Sequence, residues 1–284
     1  MSLSPSQFDY VSTLAKSRAA IVLQTGKEYL VESRLSPLAR EKGFDSLGAM
    51  IDSMTSTRGY GDIHKSVVEA LTTNETLFFR DLHPFEAMEK KLIPEIMARR
   101  ATERRIDIWS GASSTGQEAY SIAMMLREKF PELRNWKVKI IGTDLCSKAL
   151  EKANRGVYNQ MEVNRGLPMP LLVKYFSKVD EGWELKPEMK QMTEFRKMNL
   201  IEHWPNLPKF DIVLMRNVLI YFDIETRRKI LAGIRGVLNR DGAMFLGASE
   251  TTFNVDENWI VENHGRSHIY RIKPSVTPGR VLPS

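Results

Sequence analysis

Two acidic side chains follow short apolar segments that the residue pattern predicts as neighbouring strands. Glu118 lies in the first turn of a helix predicted to begin at Gln117, and Asp144 ends the strand predicted at residues 137–143. Carboxylates at the carboxyl ends of parallel strands accept hydrogen bonds from ribose hydroxyls and attract cationic ligands. Acidic residues are also common in the first turns of helices, so these two positions alone leave a purely structural role open.

The turn between the predicted strand at residues 106–109 and the helix after it indicates which nucleotide is favoured. A P-loop needs Lys after its second glycine, whereas Gly116 is followed by Gln117 and Glu118. The dinucleotide pattern fails as well, because only Gly111 and Gly116 are present and an acidic helix start repels a pyrophosphate. S-adenosylmethionine, with its sulfonium and ammonium groups, suits this acidic turn better.

Two asparagines follow later strands of the same predicted sheet. Asn199 closes the strand predicted at residues 193–198, and Asn217 follows the strand predicted at residues 210–215. Because ligands of open α/β sheets lie across such strand ends, we expect Asn199 to face the adenine and Asn217 the methionine part of the ligand. Each asparagine alone is equally typical of a turn.

Composition narrows the class of protein. The chain has 284 residues, enough for one large and one small domain, and its single cysteine, Cys146, excludes an internal disulfide. The polar start is not a signal peptide, and no apolar run reaches the length of a membrane span, so we expect a cytoplasmic protein without membrane insertion. The formal charge of +6 is scattered, which does not favour nucleic acid as a partner.

The first part of the chain reads as helical throughout. A capping box at residues 4–7 starts a helix, and further helices are predicted at residues 29–40, 46–54 and 62–71. Pro37 should kink or divide the second of them. No strand is evident before residue 105, so residues 1–72 are predicted to form an all-α N-terminal domain.

The remainder alternates strands and helices, with one interruption. Residues 73–92 are predicted as a linker and a lead-in helix from Pro84, and residues 93–273 as an α/β domain. Residues 155–192 break the alternation and predict a small antiparallel insertion, which includes the apolar run at residues 169–176. The last elements are a helix at residues 224–238 closed by Asp241 and Gly242, strands at 243–246 and 267–272 with a possible partner at 259–261, and a flexible tail at 274–284.

Three motifs together resemble the chemotaxis receptor glutamate methyltransferase family, usually called CheR. They are Thr-Thr-Asn-Glu-Thr-Leu-Phe-Phe-Arg at residues 72–80, Trp-Ser-Gly-Ala-Ser-Ser-Thr-Gly-Gln-Glu at 109–118 and Arg-Asn-Val-Leu-Ile-Tyr-Phe-Asp at 216–223. The resemblance implies a class I S-adenosylmethionine-dependent methyltransferase domain, Rossmann-like and α/β, with a small antiparallel β insertion and an all-α domain before it.

The resemblance also implies roles for individual residues. The catalytic arginine and tyrosine of the family match Arg80 and Tyr221, and no metal is implied. Its cofactor-binding residues fall on Asn74, Thr76, Arg80, Glu118, Asp144, Asn199, Leu200, Asn217 and Val218. From the residues alone, Arg80 also fits a surface ion pair with Asp81 or Glu75, and Tyr221 fits a core tyrosine.

The implied reaction is methyl transfer from S-adenosylmethionine to receptor glutamates, which yields methyl esters and S-adenosylhomocysteine. The implied partner is the cytoplasmic helical bundle of methyl-accepting chemoreceptors, toward which Lys27, Arg34 and Arg40 would present positive charge. Relatives that bind a receptor C-terminal peptide have a longer loop than residues 179–182 provide. The alternatives are a methyltransferase for another protein, a nucleic acid or a small molecule, and a non-catalytic adaptor with the same fold.

Overall fold

The N-terminal part of the chain is built from four helices. They are α1 (Pro5–Ala19), α2 (Glu28–Glu41), α3 (Leu47–Ser56) and α4 (Asp62–Ala70) in the computed structural model, which describes residues 3–57 and 59–274. The fully buried side chains of Val11, Leu35, Met50 and Val67, one from each helix, belong to a common core. No strand occurs in the described residues before Arg105, which confirms the predicted all-α character.

Local sequence signals explain how α1 starts and why α2 does not break. The Ser4 side chain accepts the N–H of Gln7, and the Gln7 side chain accepts the N–H of Ser4 at 3.1 Å, so the predicted capping box is present. Of the predicted kink or division at Pro37, the structure contradicts the division, because α2 continues through that residue. Pro37 removes one hydrogen bond, but the buried Leu35 and Leu38 anchor the helix on both sides.

One continuous helical segment leads into the sheet. It consists of α5 (Leu82–Ala87), a π-helical turn (Met88–Leu92) and α6 (Ile93–Arg99). The segment starts at Leu82 and not at Pro84 as predicted, because Asp81, with a φ of 54°, already turns the chain into the helix. The predicted tail at residues 274–284 lies outside the described residues except for Pro274.

Ten strands form two sheets in the described part of the chain. They are β1 (Arg105–Gly111), β2 (Lys137–Asp144), β3 (Val157–Tyr158), β4 (Phe176–Val179), β5 (Gly182–Leu185), β6 (Thr193–Lys197), β7 (Phe210–Met215), β8 (Leu238–Leu246), β9 (Trp259–His264) and β10 (Ser267–Ile272). The large sheet has the order β6-β2-β1-β7-β8-β10-β9. Its first five strands are parallel, and β10 is antiparallel to both neighbours. In this order β1 lies between β2 and β7, so successive strands of the chain continue first on one side of β1 and then on the other. Ligands of open α/β sheets bind at the carboxyl ends of the strands at such a reversal, which predicts a site at the end of β1.

Helices cover both faces of the large sheet. They include α7 (Gln117–Lys129) and α8 (Ser147–Arg155), the insertion helices α9 (Gln160–Asn164), α10 (Met169–Tyr175) and α11 (Pro187–Lys190), and α12 (Ile224–Val237). Ile108 and Ile212 belong to the core that contains α7, whereas Trp109 and Val213 belong to the core that contains α12. This alternation follows the period of two that strand side chains have. In the described part of the chain, no helix has both the length and the apolar character of a membrane span.

The junction of α12 and β8 differs from the prediction. The helix ends at Val237, and β8 begins at the next residue, so Asp241 and Gly242 lie inside a strand and do not close the helix. Leu238 already pairs with Phe210, and the register shifts before the next pair. This irregularity depends on pairing with β7, and local sequence does not show it.

The structure confirms the predicted antiparallel sheet in the insertion and corrects the prediction for one of its elements. The small sheet has the order β3-β5-β4, with a tight turn between Val179 and Gly182. The apolar run predicted as part of this sheet mainly forms the helix α10. Leu172 and Tyr175 are buried at a spacing of three residues, which suits one helix face, and Pro170 fits its first turn.

Candidate functional site

A cavity of about 290 Å³ opens at the carboxyl ends of β1, β2 and β7. Residues from α1, α2 and the loop between them complete its wall, so the cavity lies between the N-terminal helices and the large sheet. All ten residues predicted for the site line it: Asn74, Thr76, Arg80, Glu118, Asp144, Asn199, Leu200, Asn217, Val218 and Tyr221. The structure thus brings together residues that are spread over more than half of the chain.

The turn after β1 bends the chain sharply at the cavity. Ala112 and Ser114 have φ values of 53° and 50°, and Gly116 has a φ of 92°. Left-handed conformations cost energy in residues that carry a Cβ, so this turn holds local strain. A Cβ on Gly116 would also lie 2.9 Å from that of Ala153, and glycine therefore allows α7 and α8 to approach.

Asp144 is buried at the end of β2 and is held by two backbone groups. Its Oδ2 accepts the N–H of Ser114 at 2.8 Å, and its Oδ1 accepts the N–H of Cys146 at 2.9 Å. Burial raises the pKa of Asp144, although these hydrogen bonds oppose the rise. Each oxygen has a further lone pair, so the oriented carboxylate can still accept hydrogen bonds from a ligand.

Glu118 forms a buried ion pair with a residue to which the sequence assigned no role. Arg216 donates from Nη1 to Glu118 Oε2 at 2.8 Å, and the Ser110 hydroxyl donates to Glu118 Oε1 at 2.8 Å. The Nη2 of the same arginine donates to Asp81 Oδ2 at 2.9 Å and to the carbonyl oxygen of Arg80 at 2.7 Å. Arg216 thus joins α7, the end of β7 and the linker, and it offsets part of the charge on Glu118.

Arg80 lies in a strained part of the linker. Its neighbours Phe79 and Asp81 have φ values of 48° and 54°, which non-glycine residues seldom adopt. The guanidinium donates to the carbonyl oxygen of Glu75 at 3.3 Å. Among the described residues, Asp81 pairs with Arg216 and not with Arg80, so the alternative of an Arg80–Asp81 surface pair does not hold.

The alternative ion pair between Arg80 and Glu75 is also absent from the described residues. The Glu75 carboxylate pairs with Arg165 instead, at 2.8 Å.

Asn74 and Thr76, the nearby cofactor candidates, are half-buried at the cavity wall. The Ser114 hydroxyl donates to the carbonyl oxygen of Asn74 at 2.7 Å, which ties the linker to the turn after β1.

Asn199 has a partner that the sequence did not indicate. Its side-chain amide donates to the carbonyl oxygen of Arg18 at 2.7 Å, and its Oδ1 accepts the N–H of Ile201 at 3.2 Å. The amide therefore connects the strand end after β6 to the end of α1, and it has capacity for one further donated bond. Leu200 adds a half-buried apolar side chain to the cavity wall.

Arg34, which the sequence predicts to present positive charge toward the receptor near the cofactor cleft, also has hydrogen-bond partners within the protein. Its guanidinium donates to the carbonyl oxygen of Leu71 and, from Nη2, to Thr73 Oγ1 at 3.1 Å. It also lines the cavity. Arg34 therefore connects α2 to the end of α4 and to the linker through two uncharged acceptors.

Glu250 holds the loop that carries three predicted site residues. Its buried carboxylate accepts the backbone N–H groups of Asn217 and Gly247 at Oε2, both at 2.7 Å. Its Oε1 accepts those of Val218 and Ile220, at 2.9 and 3.2 Å. Three of these four N–H donors belong to the loop after β7, so one buried carboxylate fixes the path of that loop, including the left-handed Asn217, whose φ is 58°.

Tyr221 ends a short 3₁₀ turn (Leu219–Tyr221) at the edge of the cavity. It is 41% exposed, and no residue in the described ranges forms a hydrogen bond with its hydroxyl. The alternative of a core tyrosine with a satisfied hydroxyl is therefore wrong. The free hydroxyl can donate to a carboxylate that enters the cavity.

Sequence reasoning missed both Arg216 and Glu250 as parts of the site. Arg216 lies inside the motif at residues 216–223, and a charged residue directly after the apolar run at residues 212–215 is a usable signal. Glu250 lies four residues after the end of β8, and its role depends mainly on donors about thirty positions earlier. Only the pairing of β7 with β8 brings the loop after β7 close to Glu250.

The polar atoms of the cavity fit S-adenosylmethionine. The carboxylates of Glu118 and Asp144 suit its cationic groups and its ribose diol. Two buried donors of cavity-lining residues, the Ser113 hydroxyl and Arg216 Nε, have no hydrogen-bond partner among the described residues. Within the same residues, no cluster of three His, Cys, Asp or Glu side chains is arranged to hold a metal.

Comparison with known proteins agrees with this arrangement. A family model described as the CheR methyltransferase all-alpha domain matches residues 6–72, and one described as the CheR methyltransferase SAM binding domain matches residues 74–266. The chain is 39% identical over 277 residues to chemotaxis protein methyltransferase 1 of Pseudomonas aeruginosa, an alignment that covers 96% of this chain and 100% of that protein.

Two further relatives align over the same share of this chain. Chemotaxis protein methyltransferase Cher2 of Pseudomonas putida is 37% identical, with 96% of this chain and 100% of that protein covered. The chemotaxis protein methyltransferase of Vibrio parahaemolyticus is 36% identical, with 96% and 99% covered. With both domain models matched in order and relatives aligned from end to end, the chain belongs to the CheR methyltransferase family.

Proposed function

We propose that the protein transfers a methyl group from S-adenosylmethionine to glutamate side chains of chemoreceptors. The observation that carries this proposal is the meeting of Arg80 and Tyr221 with Glu118 and Asp144 in one cavity. Two of these groups suit a carboxylate acceptor, and the other two suit a cationic nucleoside. The names of the relatives, chemotaxis protein methyltransferases, support the choice of acceptor.

The cofactor role belongs to the cavity residues on the sheet side and the linker. Asp144 is proposed to accept hydrogen bonds from the ribose hydroxyls and Glu118 to attract the cationic part. The remaining proposed contacts are Asn74, Thr76, Arg80, Asn199, Leu200, Asn217 and Val218. When bound, S-adenosylmethionine supplies an electrophilic methyl group, and a carboxylate oxygen takes it as the C–S bond breaks, which yields the methyl ester and S-adenosylhomocysteine.

The acceptor needs alignment more than activation. A glutamate side chain, with a pKa near 4.3, is already ionised at neutral pH, so attack requires no general base. Arg80 is proposed to hold the incoming carboxylate, and the free hydroxyl of Tyr221 to fix its orientation. Because Asp81 and Glu75 pair with other arginines, the Arg80 guanidinium keeps its charge available for that carboxylate.

The N-terminal helices contribute to the site in this proposal. We propose residues 1–72 as the all-α domain, 73–92 as linker and lead-in helix, and 93–273 as the methyltransferase domain with the insertion at about 155–192. The family models meet at residues 72 and 74, in keeping with this division. Glu69 of α4 accepts the N–H of Ser147 at 2.8 Å and so caps α8 from the other domain, which supports a fixed cavity between them.

The test is methylation of a purified receptor fragment. The protein is incubated with S-adenosylmethionine labelled in its methyl group and with the cytoplasmic helical bundle of a chemoreceptor. We expect label on the receptor that mild base releases as methanol, because esters hydrolyse under conditions that spare N-methyl groups. Base-stable label would indicate another acceptor atom. Binding of the nucleotide without any transfer would favour the adaptor alternative.

A further inference from the structure

The insertion contacts the linker that carries Arg80, although it takes no part in the cavity wall. None of the residues 155–192, all of which the structure describes, lines the cavity. The proposed reaction therefore gives this part of the chain no contact with the reacting groups. Its contacts with the linker give it an indirect one.

Phe78, two residues before Arg80, lies in the apolar core of the insertion. Its side chain is fully buried, and its ring packs edge-to-face with Tyr158 of β3 and Phe176 of β4, at centroid distances of 5.1 and 5.8 Å. Edge-to-face pairs favour one relative orientation of the rings and stabilise beyond the burial of apolar area. Phe78 therefore attaches the linker to both of these strands.

The backbone of Phe78 also lies against the insertion, at Gly166 between α9 and α10. A Cβ on Gly166 would overlap the carbonyl oxygen of Phe78 and would lie 3.1 Å from its carbonyl carbon. Gly166 has a φ of 86°, so glycine suits this position both for the backbone conformation and for the close approach. The insertion thus forms a wall against which the linker backbone rests.

Backbone strain on both sides of Arg80 makes such support necessary. Phe79 and Asp81 have φ values of 48° and 54°, and conformations of this kind persist only where the surrounding structure holds them. The N–H of Phe79 donates to Ser121 Oγ at 2.9 Å, and the carbonyl oxygen of Arg80 accepts a hydrogen bond from Arg216 at 2.7 Å. These bonds hold the linker from α7 and from the loop after β7, whereas the insertion holds the residue before them.

The insertion also supports the turn after β1. The Tyr158 hydroxyl donates to the carbonyl oxygen of Thr115, in that turn, at 2.7 Å. Tyr158 therefore contacts the linker through its ring and the turn through its hydroxyl. One buried side chain thus links the segment that carries Arg80 to the turn that precedes Glu118.

We propose that the insertion positions Arg80 through Phe78 and Gly166, an inference that rests on the proposed role of Arg80 in holding the acceptor carboxylate. In-line attack tolerates little error in the position of the nucleophile, and a misplacement of about 1 Å by a remote substitution can lower the rate roughly a hundredfold. A displaced Phe78 carbonyl group moves the residues after it, so the guanidinium no longer holds the carboxylate in line with the methyl group.

The test compares Gly166→Ala with a matched control. The added Cβ of Gly166→Ala pushes on the carbonyl oxygen of Phe78. Gly43→Ala is the control, because Gly43 has a φ of 79° and no described atom lies within 4 Å of the Cβ that it would gain. Both substitutions place a Cβ on a left-handed residue, and only Gly166→Ala adds the overlap with the linker.

The measurement is single-turnover methylation of a receptor fragment at saturating S-adenosylmethionine, so that a change in cofactor affinity does not enter the rate. We expect the rate at saturating receptor to fall roughly tenfold or more in Gly166→Ala, with an unchanged half-saturating receptor concentration. Gly43→Ala should react at the wild-type rate.

A double-mutant cycle with Arg80→Ala separates positioning from general damage to the fold. If Gly166 acts through Arg80, adding Gly166→Ala to Arg80→Ala leaves the already reduced rate unchanged. Phe78→Leu keeps an apolar side chain but removes the ring contacts, and it should show the same coupling to Arg80→Ala. This second variant keeps the test decisive even where Gly166→Ala does not fold.

The outcomes separate this inference from the proposed function. The inference is overturned by full rates in Gly166→Ala and Phe78→Leu, or by losses of the same factor with and without Arg80. A higher half-saturating receptor concentration with full rate at saturation would also overturn it and would make the insertion a docking element. If Arg80→Ala reacted at the wild-type rate, the proposed role of Arg80 would fail, and this inference with it.

Discussion

The carboxylate of Glu250 accepts the backbone N–H of Val218 at 2.9 Å, although the two residues lie 32 positions apart in the chain. Through this bond and two like it, from the N–H groups of Asn217 and Ile220, the loop after β8 shapes the loop after β7. Because that second loop carries Asn217, Val218 and Tyr221, the geometry proposed for both cofactor and acceptor depends on a residue outside the cavity lining.

Glu250→Gln tests this dependence. The amide would direct an NH₂ group at backbone N–H donors, so two of the four hydrogen bonds are lost. Hydrogen bonds to a charged group contribute about 1.5–3 kcal/mol, so we expect kcat/KM to fall at least tenfold together with affinity for S-adenosylhomocysteine. Glu257→Gln, on the exposed part of the same loop, is the control. Unchanged kinetics in Glu250→Gln would show that the loop holds its shape without it.

Arg216→Met is expected to destabilise the fold. The side chain of Arg216 is 2% exposed, and its loss leaves Glu118 without its cation. Breaking a buried pair from one side costs about 3 kcal/mol or more. The control is Arg165→Met, because the pair of Arg165 with Glu75 is exposed and should contribute less than about 1 kcal/mol. Urea unfolding of both variants gives the comparison, and equal losses would argue against a structural role for Arg216.

The sequence correctly predicted those elements of the fold that depend on interactions between residues close together in the chain. Apolar periodicity located β1, β7 and α7, and a capping box located the start of α1. It failed where tertiary pairing decides the structure. The start of β8, for example, follows from an irregular register with β7. The helix α10 is a different case, because the spacing of Leu172 and Tyr175 and the position of Pro170 were local signals for a helix, although the run was predicted as part of a sheet.

The candidate site divides in the same way. The ten site residues that the motifs predicted all line one cavity, because the ends of parallel strands lie together at one edge of the sheet. The partners of those residues were not predictable. Asn199 donates to the carbonyl oxygen of Arg18 because the N-terminal helices pack on the sheet, and Arg34 donates to the carbonyl oxygen of Leu71 because α2 packs on α4. No local pattern encodes that packing.

Asp144 makes cofactor affinity depend on pH. Burial raises its pKa above the usual value, so the carboxylate gains a proton at a higher pH than an exposed aspartate does. A protonated carboxyl accepts hydrogen bonds poorly, and affinity for S-adenosylhomocysteine should therefore fall as pH is lowered from about 7.5 toward about 5. Asp144→Asn should bind at least tenfold more weakly at the higher pH and show a flatter profile. Calorimetry that gives the same pH slope for both proteins would remove Asp144 from the ribose contact.

Tyr221→Phe separates binding from chemistry. The hydroxyl is proposed to act on the acceptor carboxylate and not on the nucleotide, so kcat should fall at least tenfold while affinity for S-adenosylhomocysteine changes little. The ring remains, which keeps the shape of the opening. Steady-state methylation of a receptor fragment, combined with nucleotide titration, measures both quantities. Weakened nucleotide binding with full turnover at saturation would show that the assignment is wrong.

The most direct test of the central claim is single-turnover methylation of a receptor fragment by Arg80→Ala at saturating S-adenosylmethionine. If Arg80 holds the acceptor carboxylate, the rate of base-labile ester formation should fall roughly a hundredfold or more, because the cation that aligns the nucleophile is gone. Arg165→Ala, which removes a nearby exposed arginine, should react at the wild-type rate. Ester formation by Arg80→Ala at the wild-type rate would contradict the proposed site.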